Sequence, residues 1–367
     1  MVRKVALLAL LLCASFVVPF GAFAREFKQA LPGYVFSFPH DHVSHDEFKT
    51  EWWYYTGHLE SKDHKHFGYE LTFFRTGVDE LPVKTPSAWD VKDIFLAHFA
   101  LTDENNKTFH YFEKLNRSGL NSAGARTDHY YVFNENWSIE QTGNQYLLKA
   151  DTADFGLHLL LNSAKPPVVH GRDGVSQKAS CKGCASHYYS MTRLKSEGFV
   201  YLKGQSLPVN GISWMDHEFG SNQLTAEQVG WDWYSVQLSD NTELMLYVIK
   251  KTDGSIDGNS SGTIIYSDGT SKHINQSEFK ISTDRKWKSP HTGGVYPMDW
   301  TISIPSAKLS LSLVPVLDDQ ELSTAKSTGV SYWEGANSVK GQVDGKAVSG
   351  QAYVEMTGYA EKFHKKI

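Results

Sequence analysis

The sequence predicts an all-β protein made of two tandem antiparallel barrels. Short alternating or aromatic runs recur between Gly, Asn and Asp turns, whereas long apolar runs with a helical period are nearly absent. The chain also repeats itself, because two pairs of segments resemble each other in the same order. Aromatic residues make up 13% of the chain, and such residues favour strands and ligand-binding walls.

The predicted strands are short and are separated by polar turns, as in sandwiches and barrels. The clearest candidates are residues 51–59, 69–75, 95–101, 146–150, 157–161, 231–238, 244–250 and 309–314.

The repeat joins an aromatic and acidic opening strand to an aromatic and acidic closing strand. Segments 51–55, 69–74, 186–190 and 209–216 resemble segments 231–235, 242–247, 330–334 and 348–355, in that order. Two matches in the same order imply a duplication. We therefore divide the chain into residues 1–24, a first barrel over 25–220 and a second barrel over 221–367.

Each unit has the size of a lipocalin-like (calycin-type) barrel with about eight strands, whose interior can hold one small ligand. The opening and closing strands would then be neighbours. This arrangement predicts one group of Glu51, Trp53 and Tyr55 with Trp214, Asp216 and Glu218, and another of Trp231 and Trp233 with Tyr353 and Glu355. Because side chains alternate along a strand, Asp216 and His217 should face opposite sides unless a bulge intervenes.

Residues 1–24 indicate a cleavable signal peptide. Arg3 and Lys4 precede an apolar run, and Ala-Phe-Ala at 22–24 is a small-x-small cleavage signal. An uncleaved anchor is the alternative, since the uncharged stretch 5–24 is long enough to span a bilayer. We expect a secreted or periplasmic protein. In such a compartment Cys181 and Cys184 favour a local disulfide, with a redox or metal role as the alternative.

Composition and motifs indicate which classes of molecule the protein binds. A net charge of −5 without a Lys/Arg-rich run argues against nucleic acid, and phosphate-binding and dinucleotide fingerprints are missing, so we expect no nucleotide and no cofactor. Neither Gly174-Val175-Ser176-Gln177 nor Gly211-Ile212-Ser213-Trp214 completes a Gly-x-Ser-x-Gly nucleophile elbow. The expected partner is a hydrophobic small molecule, and peripheral membrane contact stays open.

A histidine run at the start of the first unit could hold a metal. His40, His42 and His45 would supply three imidazoles of a zinc site, and Asp216 or His217 would supply a fourth ligand, with Asp216 as the carboxylate. The plainer interpretation is a polar loop that leads into the first strand, and we assign no metal ligand.

The sharpest signal is the mixture of acids and tryptophans. Segments 51–55, 214–220 and 231–234 hold five of the ten tryptophans and four acids, Glu51, Asp216, Glu218 and Asp232. Aromatic walls desolvate a carboxyl group and raise its pKa, so that it stays protonated as a general acid must. The same ring faces can stabilise a developing cation. The alternative is structural: tryptophans that plug a barrel end, with acids accepting their indole N–H groups.

These segments resemble the AttH-like, carotenoid 1,2-hydratase family. The resemblance extends in order over nearly the whole mature chain and is carried by residues 38–46, 51–59, 70–75, 97–103, 188–194, 214–220, 230–233 and 332–335. It implies two packed lipocalin-like barrels, often secreted in bacteria and often described as a predicted hydrolase. It also implies an elongated apolar ligand without a cofactor: relatives hydrate acyclic carotenoids or a prenyl group, or shape polyene cycloadditions.

A hydratase would protonate a terminal alkene, stabilise the tertiary cation and deliver water. On this hypothesis Asp216 is the proton donor, while Glu51, Asp232 or His217 orients the water. Trp53, Tyr55, Trp214, Trp231 and Trp233 are the expected ligand-binding residues. Two alternatives stay open: a carrier that binds a hydrophobic ligand without turning it over, and a metal-dependent hydrolase.

Overall fold

Within the part of the chain that the structure describes, the fold consists of strands, three short 3-10 helices and their connections. The computed structural model describes residues 23–78, 80–81, 91–222 and 224–361, so the predicted signal peptide lies almost wholly outside the described residues. The 3-10 helices are His40–His42, Gln276–Glu278 and Pro305–Ala307. None of the helices in these ranges has the length and apolarity needed to cross a bilayer.

The first large sheet has 13 strands and forms a nearly closed barrel. Its main path runs in the order β6-β5-β3-β2-β15-β14-β11-β10-β9-β8-β7, and a bridge between Ser118 and Ala123 joins its two edges. A separate ribbon pairs β1 with β4. The strands are β1 Phe23–Ala24, β2 Thr50–Ser61, β3 His66–Gly77, β4 Glu80–Leu81, β5 Asp93–Asp103, β6 Thr108–Arg117, β7 Ala123–Ala125, β8 Tyr131–Asn134, β9 Trp137–Thr142, β10 Gln145–Asp151, β11 Phe155–Ser163, β12 Val168–Val169, β13 Ser176–Gln177, β14 Ala185–Leu202 and β15 Gln205–Asn222.

The second sheet has ten strands and forms a half-barrel with the main order β19-β18-β17-β16-β25-β24-β22-β21-β20. Its strands are β16 Gln228–Leu238, β17 Glu243–Lys251, β18 Ser261–Ile265, β19 Ser271–Asn275, β20 Lys280–Lys288, β21 Val295–Ile304, β22 Leu309–Pro315, β23 Glu321–Ser323, β24 Ser331–Val343 and β25 Lys346–Met356.

The topology confirms the predicted duplication. Nine strands of each sheet follow the same antiparallel order, with the opening strand beside the closing one: β2 pairs with β15, and β16 pairs with β25. The last hairpin turns of the two halves also match. Lys203-Gly204 and Asp344-Gly345 both have positive φ at each residue, which gives the turn that fits the twist of paired strands.

The second unit differs from the expected closed barrel. In the first sheet, β7 and β8 extend the path beyond β9 and bring it back to β6, but in the second sheet the described strands end at β20 and β19. The second sheet therefore stays open, whereas the all-β class is confirmed.

Two faces of β2 and β15 serve different cores. Trp53, Tyr55 and Met215 point into the first barrel and are buried in its filled core. Tyr54 and Trp214 point the other way, into a third apolar cluster that also contains residues of the second sheet. The sheets approach closely there, because a Cβ on Gly68 would lie 2.6 Å from the Cβ of Ala336.

Candidate active site

A cavity of about 480 Å³ lies between the two sheets, beside the paired opening and closing strands. This volume falls in the ordinary range of small-molecule sites. Aromatic and aliphatic side chains form much of its wall, with several charged groups among them. The wall includes Trp52, Tyr54, Phe74, Tyr188, Trp231, Trp233, Tyr247, Leu224, Ile249, Asp216, Glu218, Glu355, Lys178, Lys49, Arg75 and Glu51.

Asp216 is the central acid of this wall. It lies on β15 between Ser190 of β14 and Tyr54 of β2 in the strand register. The Tyr188 hydroxyl donates to Oδ2 at 2.6 Å and the Trp214 indole donates to Oδ1 at 2.6 Å, with Ser190 Oγ as a third donor. Burial raises the pKa of Asp216 to about 7, although all three hydrogen bonds oppose the shift. A carboxyl group that titrates near neutral pH can donate a proton there.

Tyr188 connects Asp216 to the second sheet. Its hydroxyl accepts a hydrogen bond from the Trp233 indole at 3.0 Å while it donates to Asp216. The phenol is buried, and its pKa is raised well above the ordinary value by burial and by the charge of Asp216. Tyr188 therefore stays a neutral donor that holds the carboxyl group and one tryptophan in place.

Glu218 occupies the same face of β15, two residues further on. It accepts hydrogen bonds from Ser186 and is paired with the ammonium group of Lys178 at 3.0 Å. The Lys178 ammonium also lies 4.2 Å from the ring centroid of Tyr247, a cation–π contact. Burial lowers the pKa of Lys178, but the charge and hydrogen bond of Glu218, together with Tyr247 and Asp216, outweigh burial and raise the pKa. This part of the wall is a charged pair.

Glu355 enters the cavity from the second sheet. Its Oε2 accepts a hydrogen bond from the Trp231 indole at 3.0 Å, and it lies opposite Trp233 in the register of β16 and β25. Burial raises the pKa of Glu355 to about 7; the Trp231 hydrogen bond opposes this, and the charges of Asp216 and Glu218 add to it.

The other face of β15 carries a separate polar cluster around Glu51. Its Oε1 accepts from His217 Nε2 at 2.8 Å and from His45 Nδ1 at 2.9 Å, and its Oε2 accepts from Arg75 Nε at 3.1 Å. Burial would raise the pKa of Glu51, but His217, His45 and Arg75 together hold it well below the ordinary value. Glu51 is a satisfied carboxylate, and it fixes the loop that contains His45 to the barrel.

The same cluster contains residues that could ligate a metal ion. His45, Glu51 and His217 bring one ligand-type atom each within 4.8 Å of one another. These atoms already bond to one another, and the Arg75 guanidinium occupies the other carboxylate oxygen. Burial opposes protonation of His45, but the neighbouring carboxylates of Asp41 at 3.6 Å and Glu51 at 2.9 Å outweigh it and raise the pKa to about 9. The His45 imidazole is therefore protonated near neutral pH, and a metal ion would have to displace that proton and the hydrogen bonds of Glu51.

The structure separates the residues that the sequence grouped together. Strand parity places Asp216 and His217 on opposite faces, as predicted, and places Glu51 with His217 rather than with Asp216, because Glu51 pairs with Phe219 and Trp53 pairs with His217. The expected grouping of Glu51, Trp53 and Tyr55 with Asp216 was wrong by one residue.

The remaining predicted site residues, Asp232 and the aromatic ones, lie in different environments. Asp232 points away from the cavity and pairs with Lys250 at 2.7 Å and with the Tyr359 hydroxyl at 2.9 Å. Trp231 and Trp233 line the cavity. Trp214 does not line it but donates its indole N–H to Asp216. Trp53 and Tyr55 lie in the barrel core. The sequence comparison aligned Tyr54 with Tyr234. In the structure Asp216 lies opposite Tyr54 and its counterpart Glu355 lies opposite Trp233, so the alignment of the two opening strands shifts by one residue.

Sequence reasoning missed Tyr188 and Lys178. It predicted Glu355 beside Trp231 and Trp233, which the structure confirms, but it gave Glu355 no role in the site. Tyr188 and Glu355 stand in repeated segments, so their strand parity relative to Asp216 could have found them. Lys178 stands on the irregular stretch that ends at the disulfide of Cys181 and Cys184, where the predicted local bridge is formed with a Cα–Cα distance of 5.3 Å. The backbone N–H of Lys178 donates to the carbonyl of Cys184 at 2.9 Å.

Known proteins share this two-sheet architecture. An AttH protein from Nitrosomonas europaea is 31% identical, with a TM-score of 0.82 over 91% of this chain and 99% of that one. The crystal structure of kievitone hydratase from Nectria haematococca has a TM-score of 0.69 at 15% identity, over 94% of this chain and 98% of that one, and shows a shared fold.

A sequence match agrees with the structural ones. Kievitone hydratase of Fusarium solani subsp. phaseoli is 26% identical over 151 residues, and the match spans 41% of this chain and 41% of that protein.

The fold and the cavity define a double calycin-type protein with an acid-bearing site between its two sheets. The AttH-like family model matches residues 29–359. The chain belongs to the AttH-like family.

Proposed function

We propose that this protein is a hydratase that adds water to an alkene of an elongated apolar molecule, of isoprenoid, prenylated or polyene type, bound between the two sheets. The observation that carries the proposal is a buried carboxyl group, Asp216, whose pKa is raised to about 7 in an aromatic cavity. Similarity to kievitone hydratase supports the reaction class.

The first step is proton transfer from the Asp216 carboxyl group to the less substituted alkene carbon. The alkene π electrons form the new C–H bond, which leaves a tertiary cation on the neighbouring carbon and a carboxylate on Asp216. Ring faces of Trp52, Trp231 and Trp233 line this space, and aromatic faces stabilise a nearby cation electrostatically. The carboxylate that forms is stabilised by the three hydrogen bonds it already accepts.

Water then forms the C–O bond and loses a proton, which gives a tertiary alcohol. Apolar walls limit the number of water molecules in the cavity. The cation is therefore protected from other water until the positioned water molecule attacks it. The cavity volume suits a small prenylated molecule or one end of a longer polyene. We propose that the protein acts outside the cytoplasm, because residues 1–24 have the pattern of a cleavable signal peptide.

A direct test measures isotope incorporation. The purified full chain is incubated with kievitone, and separately with the acyclic carotenoid lycopene in detergent, in water enriched in oxygen-18. We expect an alcohol that carries the label, and no product from Asp216→Asn although this variant still binds the ligand. Labelled product formed by the variant at the wild-type rate would contradict the role of Asp216.

A carrier is the second candidate, because the same aromatic wall would hold a hydrophobic ligand without chemistry. It predicts that the wild type and Asp216→Asn bind the probes equally and that neither forms product. Native mass spectrometry of protein purified from its own host, followed by extraction of any bound molecule, distinguishes a retained ligand from a hydrated product.

A further inference from the structure

In hydration the attacking water must also lose a proton, and a carboxylate other than the one that protonated carbon can accept it. The acceptor must touch the same cavity, carry a free lone pair near neutral pH and approach the ligand from another direction than Asp216. Three other carboxyl groups contribute to the wall: Glu51, Glu218 and Glu355.

Two of these three are committed to cations. Glu218 pairs with Lys178 at 3.0 Å, and Glu51 pairs with Arg75 at 3.1 Å while also accepting from two histidines. A carboxylate paired in this way is a weak base, because taking up a proton breaks the pair. Glu355 instead accepts a hydrogen bond from the neutral Trp231 indole.

The geometry brings Glu355 close to Asp216 from the opposing sheet. Asp216 binds Tyr188 at 2.6 Å, Tyr188 binds Trp233 at 3.0 Å, and Trp233 is the direct cross-strand partner of Glu355. Asp216 of the first sheet and Glu355 of the second sheet therefore both line the cavity and are connected through Tyr188 and Trp233.

The duplication supplies an independent argument. Asp216 and Glu355 occupy the same place in the repeated closing strands, three residues after the shared small positions Ser213 and Ala352. Each is on the strand that pairs with the opening strand of its own half. The two halves thus present equivalent acids to one shared cavity.

We propose that Glu355 is a second catalytic residue of this site, the base that accepts the proton of the attacking water. The inference rests on the proposed hydratase function. Asp216 loses its proton to carbon, the water oxygen bonds to the cation, and an O–H bond of that water breaks as the Glu355 carboxylate becomes protonated. The net reaction adds one water to the alkene. The starting state returns when Glu355 releases a proton to solvent and Asp216 takes one up.

The surroundings of Glu355 set the expected pH dependence. Glu334 lies directly opposite Glu355 on β24 and, since burial raises its pKa well above the ordinary value, stays neutral. The other charged or titratable groups around Glu355 include Asp216, Glu218, Asp232, Glu70, Lys178, Lys250, Lys49, Tyr188, Tyr54, Tyr332 and the Glu51–Arg75 pair. The rate should fall at low pH as Glu355 is protonated and at high pH as Asp216 ionises, with apparent pKa values that belong to the pair.

The experiment is the pH–rate profile for hydration of kievitone by the full chain. Glu355→Gln should lower kcat by about 10²-fold or more with little change in ligand affinity, and the decline of the rate at low pH should vanish. Glu355→Asp should restore part of kcat together with that decline. Glu334→Gln is the matched control, because it removes the neighbouring carboxyl group and should leave the profile of the wild type.

The outcomes separate two failures. If the wild type hydrates the probe and Glu355→Gln keeps both kcat and the low-pH decline, the role of Glu355 is wrong while the proposed function stands. If Glu334→Gln loses the decline as well, the effect belongs to the general electrostatics of the interface and the assignment is again wrong. If the folded wild type hydrates neither kievitone nor lycopene, the proposed function fails first and the role of Glu355 fails with it.

Discussion

Asp216 and His217 are adjacent on one strand but belong to two polar clusters. Each cluster contains a buried acid, and the pKa of that acid is shifted in opposite directions in the two clusters. On the barrel face, His217 and its neighbours surround Glu51 with donors and a guanidinium, so that its negative charge is stable. On the cavity face, Asp216 has only neutral donors, and burial raises its pKa to about 7. The difference teaches that compensating cations make a buried acid structural, whereas their absence from its hydrogen-bond partners leaves an acid ready to exchange a proton.

The largest contrast between the faces should appear with Asp216→Asn. We expect kcat for hydration of an accepted alkene to fall by about 10²- to 10⁴-fold, because the amide cannot protonate carbon. The free energy of unfolding at pH 8 should not decrease, since the variant no longer buries a charge. Steady-state kinetics and urea unfolding measure the two quantities. A loss of stability with retained kcat would reverse the assignment of the two faces.

Glu51→Gln should show the opposite pattern. Removal of the carboxylate leaves Arg75 and the His45 imidazolium buried with less compensation, which should cost about 3–5 kcal/mol of unfolding free energy. The fraction that folds should keep kcat and the high-pH decline that comes from Asp216. The comparison fails if Glu51→Gln is as stable as the wild type but inactive.

Trp52 and Trp53 offer a matched pair of neighbours on β2. Trp53→Ala empties part of the barrel core and should lower the free energy of unfolding by about 3–5 kcal/mol. Trp52→Ala removes a cavity wall and should weaken kievitone binding while costing less stability. Isothermal titration and chemical denaturation of both variants test this. Equal losses of affinity in the two variants would show that the ligand also reaches the barrel interior.

The last expected difference between the two faces is a pH dependence of the free energy of unfolding. Because Asp216 has a folded-state pKa near 7 and an ordinary unfolded pKa near 4, the folded state binds the extra proton between these values. Stability should then fall as pH rises from about 4 to 7, by up to about 1.4 kcal/mol per pH unit for this group. Asp216→Asn should remove that part of the slope. Urea unfolding at a series of pH values, with Asp232→Asn as a control outside the cavity, measures the difference; equal slopes in the wild type and Asp216→Asn would contradict the raised pKa.

The sequence by itself determined the all-β class, the duplication and the pairing of opening with closing strands, because alternation, turn residues and internal similarity are local or repeated signals. It also singled out Asp216, since an acid among tryptophans is visible in the chain. Strand parity alone separated Asp216 from His217.

Only the tertiary structure decided which partners those residues meet. The register of β2 with β15 placed Glu51 and Trp53 on the barrel face and Tyr54 on the cavity face. A register shift of one residue exchanges these faces, and similarity between aromatic segments could not determine the register to one residue. The packing of the second sheet on the first placed Tyr188, Trp233 and Glu355 around one cavity. Burial and charge compensation depend on such contacts between distant strands, and these made Glu51 a stable carboxylate and Asp216 a carboxyl group that titrates near neutral pH.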